Sequence, residues 1–118
     1  MINLEIKLEK AVISDAYEIF DIQVESFMPL LKKYEDYKTN PANQTLNDII
    51  ERINDVDEEE NNMFYKIMIG NVIVGAISVW QRKNTTEFNI GILFIHPKYQ
   101  GNGLAQKALT EVEEIFNQ

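Results

Sequence analysis

The 118-residue sequence contains no cysteine and a single histidine. The first absence excludes disulfides, thiol nucleophiles and cysteine-built zinc sites, and the second leaves no two-histidine metal site. Long apolar runs are missing too. The longest uncharged stretch, Ile67–Gln81, has 15 residues and is interrupted by two glycines, an asparagine and a serine. A helix crossing a bilayer needs about 20 apolar residues. Glu5, Lys7 and Glu9 stand where a signal peptide would need an apolar stretch. Positive charge is scarce, with 11 basic against 19 acidic residues and a net charge of −8. These features point to a cytoplasmic protein that binds neither membrane nor nucleic acid.

What is present suits one domain, with 45% apolar residues to fill a single core. The charge is uneven: residues 1–60 hold 15 acidic and 6 basic groups, and residues 61–118 hold 4 and 5. The first half favours cationic partners and the second tolerates an anion. The run Asp55–Glu60 reads as a solvated loop after a helix.

Alternation of Ile2, Leu4, Ile6 and Leu8 with polar residues predicts a strand over Ile2–Leu8. Ser14 and Asp15 open a helix whose apolar face is Ala16, Phe20, Val24, Phe27 and Leu31, and Pro29 should break or kink it near Met28. Lys32–Asn43 reads as a loop. Thr45-x-x-Asp48 then resembles a capping box for a short helix that turns Leu46, Ile49, Ile50 and Ile53 inward. A meander follows: Met63–Ile69, a Gly70-Asn71 hairpin, Val72–Arg82 and Glu87–Ile95. Gly75 suggests a bulge or a close backbone approach. In the last strand Phe88, Ile90, Ile92 and Phe94 should share one core face. A helix from about Gly103 to Phe116 ends the chain. No parallel strand returns after it, so the 118 residues read as one C-terminally incomplete domain of the α/β (α+β) class.

The informative segment is Leu93-Phe94-Ile95-His96-Pro97-Lys98-Tyr99-Gln100-Gly101-Asn102-Gly103-Leu104-Ala105. A buried strand ends, a proline turns the chain, and glycines lead into a helix. Amides at such a helix start are unpaired and converge at the positive end of the dipole. Gly101 and Gly103 would let phosphate oxygens reach the backbone, with Lys98 and Lys107 flanking and no opposing acid nearby. The alternative is a plain glycine turn without a ligand. A P-loop would need four residues between its glycines and then Lys-Ser or Lys-Thr. A dinucleotide fingerprint would need three glycines and a later acid. Neither pattern is met.

Gln100-Gly101-Asn102-Gly103-Leu104-Ala105 instead resembles the acyl-CoA signature Gln/Arg-x-x-Gly-x-Gly/Ala of the GNAT superfamily of N-acetyltransferases, and the order of elements is similar along the chain. The resemblance implies a GNAT-like mixed, mainly antiparallel sheet flanked by helices and lacking the C-terminal strands. It implies acetyl-CoA as co-substrate and no metal. The pyrophosphate would sit on the amides of Gly101, Asn102, Gly103, Leu104, Ala105 and Gln106, beside Gln100, and the pantetheine arm would pair with Leu93, Phe94 and Ile95. An N–H near Ile95 would polarise the acyl carbonyl. The position matching a glutamate base of some members is Asn89, which cannot take a proton. Glu87, two residues earlier on the same face, either acts through water or is a solvated strand-end charge. Glu25, Tyr34, Tyr65 and Trp80 are the candidate acceptor contacts, and His96 reads as a turn residue.

Three functions remain open at this level. The first is transfer of acetyl from acetyl-CoA to a primary amine, small or peptidic and cationic. The second is CoA binding without turnover. The third is an interaction module, or a homodimer, formed through an exposed edge at Glu87–Ile95.

Overall fold

The computed structural model describes residues 5–34, 46–54, 60–82 and 87–116. Their order is β1 (Lys7–Lys10), a 3-10 turn (Ile13–Asp15), α1 (Ala16–Tyr34), α2 (Leu46–Asn54), β2 (Glu60–Ile69), β3 (Val72–Arg82), β4 (Phe88–Ile95), a second 3-10 turn (Pro97–Tyr99) and α3 (Leu104–Phe116). Among the described residues the strands form one antiparallel sheet in the order β1-β2-β3-β4, so this is a mixed α+β fold with β4 at one edge. None of the described helices is long and apolar enough to cross a membrane.

The core lies in two layers. On one sheet face Ala16, Ile19 and Ile22 of α1 and Ile49 of α2 meet Phe64, Met68, Ile73, Ala76 and Phe94. On the other, Leu104, Ala108 and Val112 of α3 meet Tyr65, Ile67, Val74, Ile77, Val79 and Ile95. The inward face of α2 is the expected one, with Ile49 fully buried and Leu46, Ile50 and Ile53 packed around it, whereas Thr45 lies outside the described residues. The buried face of α1 is rotated from the expected one. It centres on Ile19, Ile22 and Gln23, flanked by Phe20 and Phe27. Gln23 is fully buried, and an apolar pattern could not have marked it.

β2 starts at Glu60 rather than Met63, pairing Glu60 with Arg82, so Glu60 is strand and not part of the expected loop, and two other boundaries also differ from expectation. The first strand is Lys7–Lys10 rather than Ile2–Leu8, with residues 1–4 outside the described part. Its register is set by β2, Lys7 facing Met68 and Lys10 facing Tyr65, although Ile6 and Leu8 still reach the α3 layer. Pro29 does not end α1, which continues to Tyr34. The ring removes one N–H, the donor that would reach the Glu25 carbonyl. A helix already packed on the sheet through Phe27 and Phe94 tolerates that loss, typically about 3 kcal/mol.

One more difference matters most. Phe88, Ile90, Ile92 and Phe94 do not share a face. Phe88 and Ile90 pack with Leu93 and Ile95 in the α3 layer, while Ile92 and Phe94 pack in the α1/α2 layer. The register explains the switch: Ser78 faces Ile92 and Val79 faces Ile90, so Gly91 is an extra residue in β4. One added residue reverses a period of two. Ser78 Oγ accepts the Ile92 N–H at 2.9 Å, standing in for a backbone carbonyl. A Cβ on Gly91 would lie 2.5 Å from that oxygen.

A second slip lies at Gly75. Ile67 faces Gly75 and Met68 faces Ile73, leaving Val74 as the extra residue of β3. Both meanings read into this glycine hold, because a Cβ there would stand 2.2 Å from the Phe94 carbonyl oxygen. Gly75→Ala should therefore push β3 from β4 and lower stability by about 1–3 kcal/mol. Gly70→Asn, at φ +57° with nothing within 4 Å, should change little. Urea midpoints compare the two, and an unshifted midpoint for Gly75→Ala would contradict the close approach.

The start of α1 is tied to the sheet by Lys66 Nζ on Asp15 Oδ2 at 2.9 Å, with both side chains about 15% exposed, and by the Val12 N–H on the same oxygen at 3.0 Å. Burial pushes the Asp15 pKa up, but the Lys66 and Val12 hydrogen bonds pull it down further, and it ends below 3.8. A folded-state value below the unfolded one stabilises the fold above the unfolded pKa, and that contribution is lost as pH falls through the folded value. Asp15→Asn should accordingly flatten the loss of stability between about pH 5 and about pH 3, followed by urea unfolding at stepped pH.

Candidate functional site

β4 ends against α1 and the loop to α3, and the Ile95 carbonyl is the meeting point. It accepts Ser26 Oγ from α1 at 2.9 Å and Gln100 Nε2 from the loop at 2.8 Å. One residue on, His96 N–H bonds the Val74 carbonyl at 2.7 Å. His96 Nδ1 accepts the Lys98 N–H at 3.1 Å, which leaves Nε2 to carry the proton towards its partner Glu25. His96 is thus a turn residue, as expected, and it also clamps α1 to the strand end.

The 3-10 turn at Pro97–Tyr99 carries the chain into the glycine loop. Gly101 and Gly103 have φ of +84° and +73°, values that side chains rarely adopt, and an added Cβ on either would enter open space. Asn102 Nδ2 bonds the Tyr99 carbonyl at 3.0 Å and holds the loop's shape. The first helical bond of α3 is Lys107 N–H to the Gly103 carbonyl at 3.1 Å. Among the described residues, the amides of Gly101–Gln106 have no backbone partner. Such a helix start presents unpaired donors at the positive end of the dipole, with clear space above its glycines.

Beside the loop lies a cavity of about 490 Å³ between α1 and β4, lined by Ser26, Phe27, Leu93, Phe94, Ile95, Pro97, Gln100 and Ala105. Its wall is mostly apolar, with amides at one end. The Ile92 N–H and the Phe94 carbonyl both face β3. Alternation along the strand therefore turns the N–H groups of Leu93 and Ile95 to the open edge. The Ile95 carbonyl is already taken, so among the described residues Leu93 keeps both polar groups on this edge and Ile95 keeps its N–H.

The expected cofactor residues Leu93, Phe94, Ile95, Gln100, Gly101, Asn102, Gly103, Leu104, Ala105 and Gln106 thus fall together, with differing tasks. Leu104 is buried and anchors α3 in its layer, and Gln100 spends its amide nitrogen on Ile95. Lys107 is not clear of acid, since Glu5 and Glu111 share with it, Gly103 and Gln106 a second cavity of about 700 Å³. The fold brings Glu5 there from the segment before β1, and the helix brings Glu111 one turn later. Glu87 and Asn89 are both exposed at the start of β4.

The acceptor candidates do not converge. Glu25 lies beside His96 at the strand end. Tyr65 is 8% exposed in the α3 layer, on the opposite sheet face from α1, and burial raises its hydroxyl pKa. Trp80 lines a small cavity near α2. Tyr34 is the last residue of α1, and its side chain lies outside the described part. Sequence reasoning missed Ser26 and Ser78. Their partners are 69 and 14 residues away, and no local pattern signals a serine bonded that far along the chain.

Among the described residues no cluster of three acidic or histidine side chains could hold a metal ion. Ser26→Ala and Gln100→Ala should each cost about 0.5–1.5 kcal/mol, and the double variant more than the sum, because only then is the Ile95 carbonyl stripped of both donors. A double-mutant cycle by urea unfolding reads this, and strict additivity would argue against a shared role.

The profile described as the acetyltransferase (GNAT) family matches residues 16–118. No curated protein sequence matches the chain. Among solved structures, an acetyltransferase from Thermus thermophilus superposes with a TM-score of 0.73 at 20% identity, covering 97% of this chain and 71% of that one. A PaiA N-acetyltransferase from Thermoplasma acidophilum, in complex with coenzyme A, superposes at 0.65 and 18% identity over 96% of this chain and 72% of that one. A possible acetyltransferase from Clostridium difficile gives 0.64 at 13% identity over 96% and 71%. Identities this low speak for a common fold.

Proposed function

The chain belongs to the acetyltransferase (GNAT) family, and from that premise we propose that it transfers acetyl from acetyl-CoA to a primary amine by direct attack. The observation that carries this reading is the junction of the apolar cavity with the unpaired amides of Gly101–Gln106. Phosphate oxygens fit the open space over Gly101 and Gly103. An extended amide-bearing arm fits along the free edge groups of Leu93 and Ile95, with Phe27 and Phe94 for its apolar parts.

Acetyl-CoA supplies the activated thioester. The protein's tasks are to hold it, to stabilise charge and to accept the amine. An amine nitrogen that has lost its proton forms the C–N bond, and the C–S bond then breaks with release of the thiolate. Charge that builds on the carbonyl oxygen meets the Ile95 N–H at the open edge, beside the apolar wall of the cavity. Glu87 can take the amine proton through water, and Asn89 cannot. The net charge of −8 favours an acceptor that is cationic at neutral pH, small or peptidic.

Asn89 also favours a second reading, a CoA binder without turnover. Gly103→Val decides between these and an interaction module. A branched side chain there would be strained at φ +73° and would fill the space over the amides. Titration calorimetry should show CoA binding by the native chain and its loss, by about tenfold or more, in the variant with unchanged far-UV circular dichroism. Thiol release with amines then separates transfer from binding alone. Equal CoA affinity in both proteins would remove the loop from the proposal.

A further inference from the structure

A cavity of about 110 Å³ lies between α2 and the sheet, lined by Arg52, Asn62, Met63, Ser78, Val79 and Trp80. The guanidinium at its wall is unusual. Arg52 Nη1 is buried without a hydrogen-bond partner among the described residues, and the group stands 5.7 Å from the centroid of the Phe64 ring. Burial lowers the Arg52 pKa, and Asp48, one turn earlier on α2, opposes that shift without cancelling it. A buried donor left unpaired costs about 1–3 kcal/mol, so Nη1 is a demand for an acceptor. The Trp80 indole, which carries one N–H, belongs to the same wall.

The position gives this demand a use. Ser78, which lines the small cavity, also holds the Ile92 N–H at the slip in β4, and β4 then runs on into the wall of the 490 Å³ cavity. The neighbours Ile92 and Phe94 pack in the same layer as α1 and α2, the layer from which Arg52 enters. Ile77, opposite Leu93, and Trp80 are three residues apart on β3, a span of about 10 Å. The small cavity accommodates one planar acidic group and not a whole substrate.

Building on the acetyltransferase reading, we propose that the acceptor is an amino acid-like molecule, a primary amine several bonds from a carboxylate, and that Arg52 holds that carboxylate in the small cavity. A carboxylate matches the two-pronged donor geometry of a guanidinium. The amine end then lies towards the larger cavity, where the thioester carbonyl would be presented. Such a zwitterion also reconciles an acidic protein, which draws the ammonium, with a locally cationic pocket.

The test uses the full chain and a matched pair of probes, 6-aminohexanoate and hexylamine. In nitrogen-15 spectra, 6-aminohexanoate should shift the Arg52 Nε–H and Trp80 indole resonances and hexylamine should not. Arg52→Met should abolish the response, and Arg52→Lys, which keeps the charge without the fork, should weaken it. In the presence of acetyl-CoA, the native preference in kcat/KM for 6-aminohexanoate over hexylamine should fall about tenfold or more in Arg52→Met. 6-Aminohexane sulfonate tests whether planarity matters, and it should bind more weakly. Equal responses to both amines, or an Arg52 resonance unmoved by 6-aminohexanoate, would overturn the carboxylate site. The carboxylate-dependent shift without acetylation of any amine would support the site and count against the transferase reading, so the two fail separately.

Discussion

The slip at Gly91 is the constraint on which the rest of the arrangement depends. Without the extra residue, β4 would turn one set of alternate side chains to each face along its whole length. With it, Phe88 and Ile90 serve the α3 layer while Ile92 and Phe94 serve the α1/α2 layer. Both layers are thus closed by a strand at the edge of the sheet. The cost is a displaced backbone amide, and Ser78 Oγ meets it. Only glycine leaves space for that hydroxyl. The same slip decides which amides beyond it face β3 and which face the open edge, and so it aims Leu93 and Ile95 at the cavity.

Past the slip, the strand end is held by side chains from far along the sequence. Ser26 and Gln100 share the Ile95 carbonyl, and Glu25 meets His96. α1, β4 and the glycine loop are therefore joined at one carbonyl and its neighbour, which holds the loop's backbone amides in direction. Such amides act only when they are fixed in direction, because a donor that must reorient loses most of its advantage over water. Around them the chain is strongly acidic, yet the loop itself carries no carboxylate. At the helix start itself the positive end of the dipole, rather than the net charge, sets the local field.

Much of this was legible in the residues. Ile49 with its neighbours, the Gly70-Asn71 turn and the helix after Gly103 follow from local chemistry, namely periodicity, hairpin geometry and helix starts. The glycine loop was legible for the same reason, since Gly101 and Gly103 adopt backbone angles that other residues avoid. Gly75 was legible because a glycine weakens a strand unless a bulge or a neighbouring backbone requires it, and here both do. Pro29 misled, because the rule for isolated helices does not hold for one already packed against a sheet.

The sequence by itself determined the class of fold, the α2 face, the hairpin and the loop, since each depends on neighbours within a few positions. Tertiary structure alone decided that Phe88 and Phe94 part company, that Ser26 reaches a carbonyl 69 residues away, that Tyr65 turns from the α1 side, and that half-buried Arg52 shares a cavity wall with Trp80. Register slips and long-range side-chain bonds depend on how strands and helices dock. Docking is settled by the fit of whole surfaces, and no short stretch of sequence carries that information.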